Sequence, residues 1–266
     1  MTNVQKIIKY LSIAFAFYLI ISILFGLLSI FKIFDDINPS YEKNDKVYNK
    51  QLNLSDCNDI NIKLNLTSLY IKKGNSFKLE TNNKNVKVKE DNNTLTIREN
   101  KNINLNTKFE LTLTIPENKI FNEINIDNGV GILSIDKLNG NIIDFNFGAG
   151  KVLIKELYAN NNVKIDTGAG KVSINNSKLN NLDLDMGVGE FNINSVLIGN
   201  NKIDTGIGKL SLKLLDSKDN YTFKINKGIG SIKINNEELN DNATYSNGNN
   251  IIKIDGGIGN IKVITE

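Results

Sequence analysis

Residues 165–174 read IDTGAGKVSI, and residues 203–212 read IDTGIGKLSL. Each places a Gly-x-Gly between two runs in which apolar and polar residues alternate. Period-two alternation marks a strand with one buried face. The paired glycines interrupt it with a corner that accepts positive φ or close backbone contact. The unit recurs as Gly129-Val130-Gly131, Gly148-Ala149-Gly150, Gly168-Ala169-Gly170, Gly187-Val188-Gly189, Gly206-Ile207-Gly208, Gly228-Ile229-Gly230 and Gly257-Ile258-Gly259. The first glycines are 19, 20, 19, 19, 22 and 29 residues apart. A period near 20 is the sign of a solenoid in which each repeat is one coil.

The flanks repeat as well. Ile126, Phe145, Ile165, Leu184, Ile203, Ile225 and Ile254 stand three positions before the first glycine. Four positions after it come Leu133, Val152, Val172, Phe191, Leu210, Ile232 and Ile261. Six after it come Ile135, Ile154, Ile174, Ile193, Leu212, Ile234 and Val263. Stacked coils would turn each set into an apolar ladder with neighbours about 4.8 Å apart. β-branched residues beside paired glycines make a poor helix. The expected fold is all-β: a parallel β-solenoid, β-helix-like, with coils of about 19–22 residues. One earlier coil has the template without glycine, at Ile60, Ile62, Asn65-Leu66-Thr67, Leu69 and Ile71. Strands are expected at Phe77–Thr81, Val86–Glu90, Thr94–Arg98 and Phe109–Ile115, with a hairpin turn at Glu90-Asp91-Asn92-Asn93. Extra length around Asn235–Asn250 predicts a hairpin or loop inserted in one coil. The chain stops one strand after the last Gly-x-Gly, so the final coil is expected to be an open edge that the insertion shields or a partner covers.

The N-terminal region is different. Tyr10–Phe31 carries no charge over 22 residues. As a helix it would reach roughly 33 Å, enough for a ~30 Å hydrocarbon core. The run is long for a signal peptide and ends in Phe31-Lys32-Ile33-Phe34, without a small-residue cleavage site. An uncleaved transmembrane helix is expected, with the lipid bilayer its partner through residues 10–31. Residues 1–9 form a cytoplasmic stub, 32–50 a juxtamembrane linker and 51–266 the extracytoplasmic solenoid domain. Lys6 and Lys9 ahead of the span favour a cytoplasmic N-terminus on a single-pass protein of the cell membrane.

The units at 165–174 and 203–212, with the opening INIKLNLTSLYIKKGNSFKLET at 60–81, resemble a bacterial putative-adhesin family of β-strand-repeat domains of unknown function. The likeness covers roughly residues 50–266. It implies a toast-rack-like β-solenoid, in many members behind an N-terminal membrane helix. Related domains occur in membrane regulators of cell-wall-stress signalling. Those regulators have several spans, against the single span expected here. The resemblance brings no catalytic residues with it.

Composition narrows the chemistry. The 266 residues include no histidine, no tryptophan and one cysteine, and the net charge is +3. A Ser-His-Asp triad, a His-ligated zinc site and an intrachain disulfide are excluded. Charge balance gives no polyanion footprint, so no nucleic-acid partner is expected. Two positions before the first glycine stand Asp127, Asn146, Asp166, Asp185, Asp204, Asn226 and Asp255. Stacked carboxylates raise the question of calcium. The period does not fit the calcium nonapeptide, and the favoured reading is that these side chains cap the corner by accepting backbone N–H groups. Lys151, Lys171 and Lys209 follow their second glycines and could neutralise neighbouring coils. Gly168-Ala169-Gly170-Lys171 is no phosphate loop, because a valine and a strand follow it. Asp183 and Asp185 are the candidates for a carbohydrate-cleaving face, but no base or clustered acid accompanies them. Cys57 is read as a lone residue opening the domain, with a reactive or intermolecular role as the alternative. No catalytic, cofactor or metal residues are therefore expected. The expected function is a non-enzymatic, adhesin-like surface protein that binds wall polymer or a protein partner. The alternative is an envelope-stress regulator or scaffold acting on a membrane signalling partner.

Overall fold

The computed structural model describes residues 11, 15, 18, 50–100, 108–240 and 243–266. The chain divides into two compact units, Met1–Asn44 and Asp45–Glu266. In the first, Leu11, Phe15 and Tyr18 are helical and exposed. The remainder of the expected span 10–31, the stub and nearly all of the linker lie outside the described residues. Among the described residues, no helix is long and apolar enough to cross a membrane.

The described residues of the second unit are β-structure with one 3-10 turn, Lys218–Asn220. Its strands are β1 (Lys50–Asn53), β2 (Asp59–Leu64), β3 (Ser68–Gly74), β4 (Lys78–Thr81), β5 (Val86–Asp91), β6 (Thr94–Glu99) and β7 (Glu110–Pro116). Five long ones follow: β8 (Phe121–Ile135), β9 (Leu138–Ile154), β10 (Leu157–Asn180), β11 (Leu182–Ile198) and β12 (Asn200–Leu214). The last are β13 (Tyr221–Asn226), β14 (Ile229–Ile234), β15 (Glu237–Glu238), β16 (Ala243–Tyr245), β17 (Asn250–Asp255) and β18 (Ile258–Thr265). The long strands run through their glycine corners without losing register with the next coil. β8 through β12 pair parallel in chain order.

The alternating apolar residues meet inside. Ile126, Phe145, Ile165, Leu184 and Ile203 form one column in register. Leu133, Val152, Val172, Phe191 and Leu210 form a second; Ile135, Ile154, Ile174, Ile193 and Leu212 form a third. All are buried, and they join one continuous core. Each fully buried side chain of this size contributes about 1.5–3 kcal/mol. A short third side pairs 177–180 with 195–198. Its inward Ser177 hydroxyl accepts from the Leu157 amide at 3.0 Å, and the Ser195 hydroxyl donates to the Ser177 carbonyl at 3.0 Å. Among the described residues the core lies within Asp45–Glu266, so this unit has what it needs to fold by itself.

Spatial order departs from chain order at both ends. The coil of β2 and β3 pairs parallel with β8 on one side, and with β6 and β7 on the other. The later coil β6–β7 therefore lies outside the earlier one. At the far end, β17 and β18 pair with β12 on one side, and with β13 and β14 on the other. The last coil of the chain is thus the second-last rung, which corrects the expectation of an open final coil. Residues 235–249 provide the slack for the chain to return past β13–β14. The insertion opens with a hairpin, as expected: β15 turns back antiparallel on β14 through Asn235 and Asn236, both at positive φ, and β16 pairs antiparallel with β13. The opposite end is covered by antiparallel β4 and β5, with β1 on β4. The expected turn between β5 and β6 is present, with Asn92 and Asn93 at positive φ of 48° and 65°. The outermost strands are short or charged, as at Lys87, Lys89, Glu90 and Asp91 of β5, which discourages end-to-end pairing.

Candidate functional site

The glycine corners form one edge of the stack, and all fourteen predicted glycines lie on it. A Cβ on the first glycine of a pair would run into the carbonyl oxygen of the first glycine in the adjoining coil: Gly148 against Gly129, Gly187 against Gly168, Gly206 against Gly187. Second glycines such as Gly170, at φ +159°, add a backbone conformation that side chains disfavour. The same contacts run from Gly257 to Gly206 and from Gly228 to Gly257, repeating the exchanged order of the last two coils.

The residue between the glycines points outward. In register these are Val130, Ala149, Ala169, Val188, Ile207, Ile258 and Ile229. They make a single-file apolar ridge whose shoulders carry no side chains. Exposure is 41% at Val130, 51% at Ile258 and 72% at Ile229. Two small spaces along this edge have volumes of about 10 Å³ each, room for one water.

The predicted Asx column lines the bank before the ridge, in register through Asp127, Asn146, Asp166, Asp185, Asp204, Asp255 and Asn226. Its side-chain hydrogen bonds run to lysines and to each other, not to corner amides. Lys164 Nζ donates to Asp166 and Lys253 Nζ to Asp255, both at 2.7 Å, and Lys202 pairs with Asp204. Lys63 donates to Asp127 at 2.6 Å, and the Asn226 amide to Asp255 at 3.2 Å. The Lys253 hydrogen bond holds the Asp255 carboxyl below the usual carboxylate range. Bonds to Asp166 and Asp204 push Lys164 and Lys202 up. Lysines thus relieve the like-charge ladder that raised the calcium question. Among the described residues, no group of His, Cys, Asp and Glu has the arrangement to hold a metal. On the other bank, Lys171 pairs with Glu190 at 3.2 Å, whereas Lys151 and Lys209 make no ion pair among the described residues. Asp183 and Asp185 lie on the outer face of β11, flanked in register by Lys164 and Asp166 on one side and Lys202 and Asp204 on the other.

Threonines do the capping expected of the Asx residues. The Thr205 hydroxyl accepts from the Gly257 amide at 2.7 Å, and Thr167 accepts from Gly187 at 3.3 Å. The signal was present as Thr-Gly-x-Gly in both units. A second residue gave no sequence signal. At the glycine-free corner, Glu99 Oε2 accepts from the amides of Asn65, Leu66 and Thr67 at 2.7, 3.0 and 3.2 Å. Its Oε1 accepts from Asn83 Nδ2 at 2.8 Å. This carboxylate is buried. Cys57 is buried and free, and burial pushes its thiol up to about 11, which keeps it protonated at neutral pH.

The Toastrack DUF4097 family model matches residues 49–263. This chain belongs to that family. The toastrack protein is also similar to solved structures. A putative adhesin from Bacteroides fragilis shares 16% identity at a TM-score of 0.46, over 83% of this chain and 98% of that one. A putative cell adhesion protein from Clostridium sporogenes shares 18% at 0.34, over 82% and 99%. A putative adhesin from Parabacteroides merdae shares 12% at 0.30, over 83% and 97%. Likeness at this level carries no functional argument. None of the curated proteins matches this chain.

Proposed function

We propose that this toastrack protein is a membrane-anchored, extracytoplasmic binding protein, adhesin-like and without catalytic activity. One observation carries the reading: the outward side chains form straight, mixed-charge ladders on a rigid stack, with room for no more than a water behind the corner edge. Such a surface suits a long polymer or an extended protein contact. It does not enclose a small substrate. The uncharged run Tyr10–Phe31 supports the anchor, and the lysines ahead of it support a cytoplasmic N-terminus. Its partner would be wall polymer or a surface protein reached through residues 51–266.

Crosslinking the intact protein in its native envelope tests this. Recovery of wall polymer or an external surface protein on peptides of the solenoid is the expected result. Recovery of one dominant membrane kinase would replace the reading with that of a signalling regulator. Protease shaving of intact cells tests the topology: the solenoid should be cut while the envelope is whole.

A further inference from the structure

We infer that the corner edge at the β13–β14 end of the stack docks on an anionic lipid surface. Two observations converge on that end. The first is the ridge, whose two most exposed side chains, Ile258 and Ile229, lie there, next in register to the half-buried Ile207 and Val188. The second is charge. The strands of that end, β12 to β15, β17 and β18, carry seven lysines against four carboxylates, the Glu237 and Glu238 of β15 included. The three rungs before them, β9 to β11, carry four lysines against five carboxylates.

Ion pairs within the end rungs leave lysines on both banks of the ridge unpaired. Lys202, Lys253 and Lys213 pair with Asp204, Asp255 and Glu266. Lys209, Lys224 and Lys262 are exposed and make no ion pair among the described residues. Glu238, in register with Lys233, faces Lys227 at 3.8 Å. Lys209 follows Ile207 by two residues and Lys262 follows Ile258 by four, about 7–13 Å along the strand. Aliphatic side chains at an apex, flanked by exposed lysines, match a headgroup layer: the apex enters, and the ammonium groups meet phosphates. The ridge is convex, one residue wide and bare on both shoulders. It offers no groove for a partner's side chains, which disfavours an acidic protein segment as occupant. The inference does not depend on residues 10–31 spanning the bilayer.

The test is co-sedimentation of residues 45–266 with vesicles of phosphatidylcholine alone, and of phosphatidylcholine mixed with phosphatidylglycerol. Binding to the mixed vesicles only, weakened by salt, is expected. Lys209→Glu with Lys262→Glu should lower it about fivefold or more per lysine. Ile229→Ser with Ile258→Ser should lower it about tenfold. Val130→Ser, at the other end of the ridge, should leave it unchanged. All these side chains are exposed, so thermal unfolding of the variants should match the parent. Three results would overturn the inference: no sedimentation with phosphatidylglycerol, sedimentation indifferent to both isoleucines, or equal isoleucine-dependent binding to soluble polyglutamate. The last would assign the edge to an acidic protein segment.

Discussion

The corner at Gly168–Gly170 and the corner at Asn65–Thr67 occupy equivalent places in adjoining parts of one stack, yet they meet the same demand differently. Corner amides and carbonyls must find partners, because unpaired buried backbone groups cost about 1–3 kcal/mol each. In the middle of the stack the next coil supplies them. Backbones then approach so closely that only glycine fits. At the Asn65 corner the next coil, β6–β7, has no glycine in its connecting sequence, and one carboxylate, Glu99, takes three amides at once. A repeat satisfies itself by repetition; its end needs a dedicated side chain.

Substitutions should separate the two solutions. Gly170→Val sets a Cβ against the Gly150 carbonyl at positive φ. It should cost more than about 4 kcal/mol, or prevent folding, by urea unfolding of residues 45–266. Asn65→Ala, at the equivalent glycine-free corner, loses one side-chain hydrogen bond to the Glu99 carbonyl and should cost about 1 kcal/mol. Equal losses at both corners would show that close packing is not what distinguishes them. Glu99→Ala should cost about 3 kcal/mol, since it strands three amides, and Glu99→Gln should recover part of that loss.

The regions should also part in their response to pH. Cys57, in the N-terminal region, has a folded thiol raised above its unfolded value, to about 11. The folded state then holds a proton that the unfolded chain releases. Stability is full below the unfolded thiol value of about 8.5 and declines as pH rises toward 11, by about 3 kcal/mol in all. Cys57→Ala should flatten that decline in Tm measured from pH 8 to 11. Asp255 and Glu190, in the ladder, are lowered by hydrogen bonds from Lys253 and Asn192. Their contribution is present above the unfolded carboxylate values near 4 and is lost as pH falls through the lower folded ones. With no histidine in the chain, Tm should be flat between these limits. Thr205→Val should cost as little as Asn65→Ala, about 1 kcal/mol, from loss of the hydroxyl that accepts the Gly257 amide. Gly257→Ala should cost several times more, because its Cβ would meet Gly206 and Thr205 carbonyls.

Much of the corner was legible in the linear pattern. Ile165, Val172 and Ile174 are buried where alternation places them, and Gly168 and Gly170 turn between them. The Asx column stands where the spacing put it, but its partners were misjudged. The lysines that neutralise it are on the same strands, at Lys164, Lys202 and Lys253, two residues before each aspartate. Side chains two apart share one strand face, so that pairing was available from sequence. Glu99 was not: it lies 32 to 34 residues from the amides it binds, in a strand whose rung depends on stacking order.

Local chemistry by itself settled the coil. Period-two alternation decides which side chains are dry, and paired glycine decides where the backbone bends, whatever lies above or below. Rung order is another matter. Coils with the same apolar columns fit one another almost interchangeably, so no local signal says that β6–β7 lies beyond β2–β3, or that the chain's final coil slips beneath its predecessor. Only the assembled stack, with its slack at 75–93 and 235–249 and its charged outer strands, makes that choice.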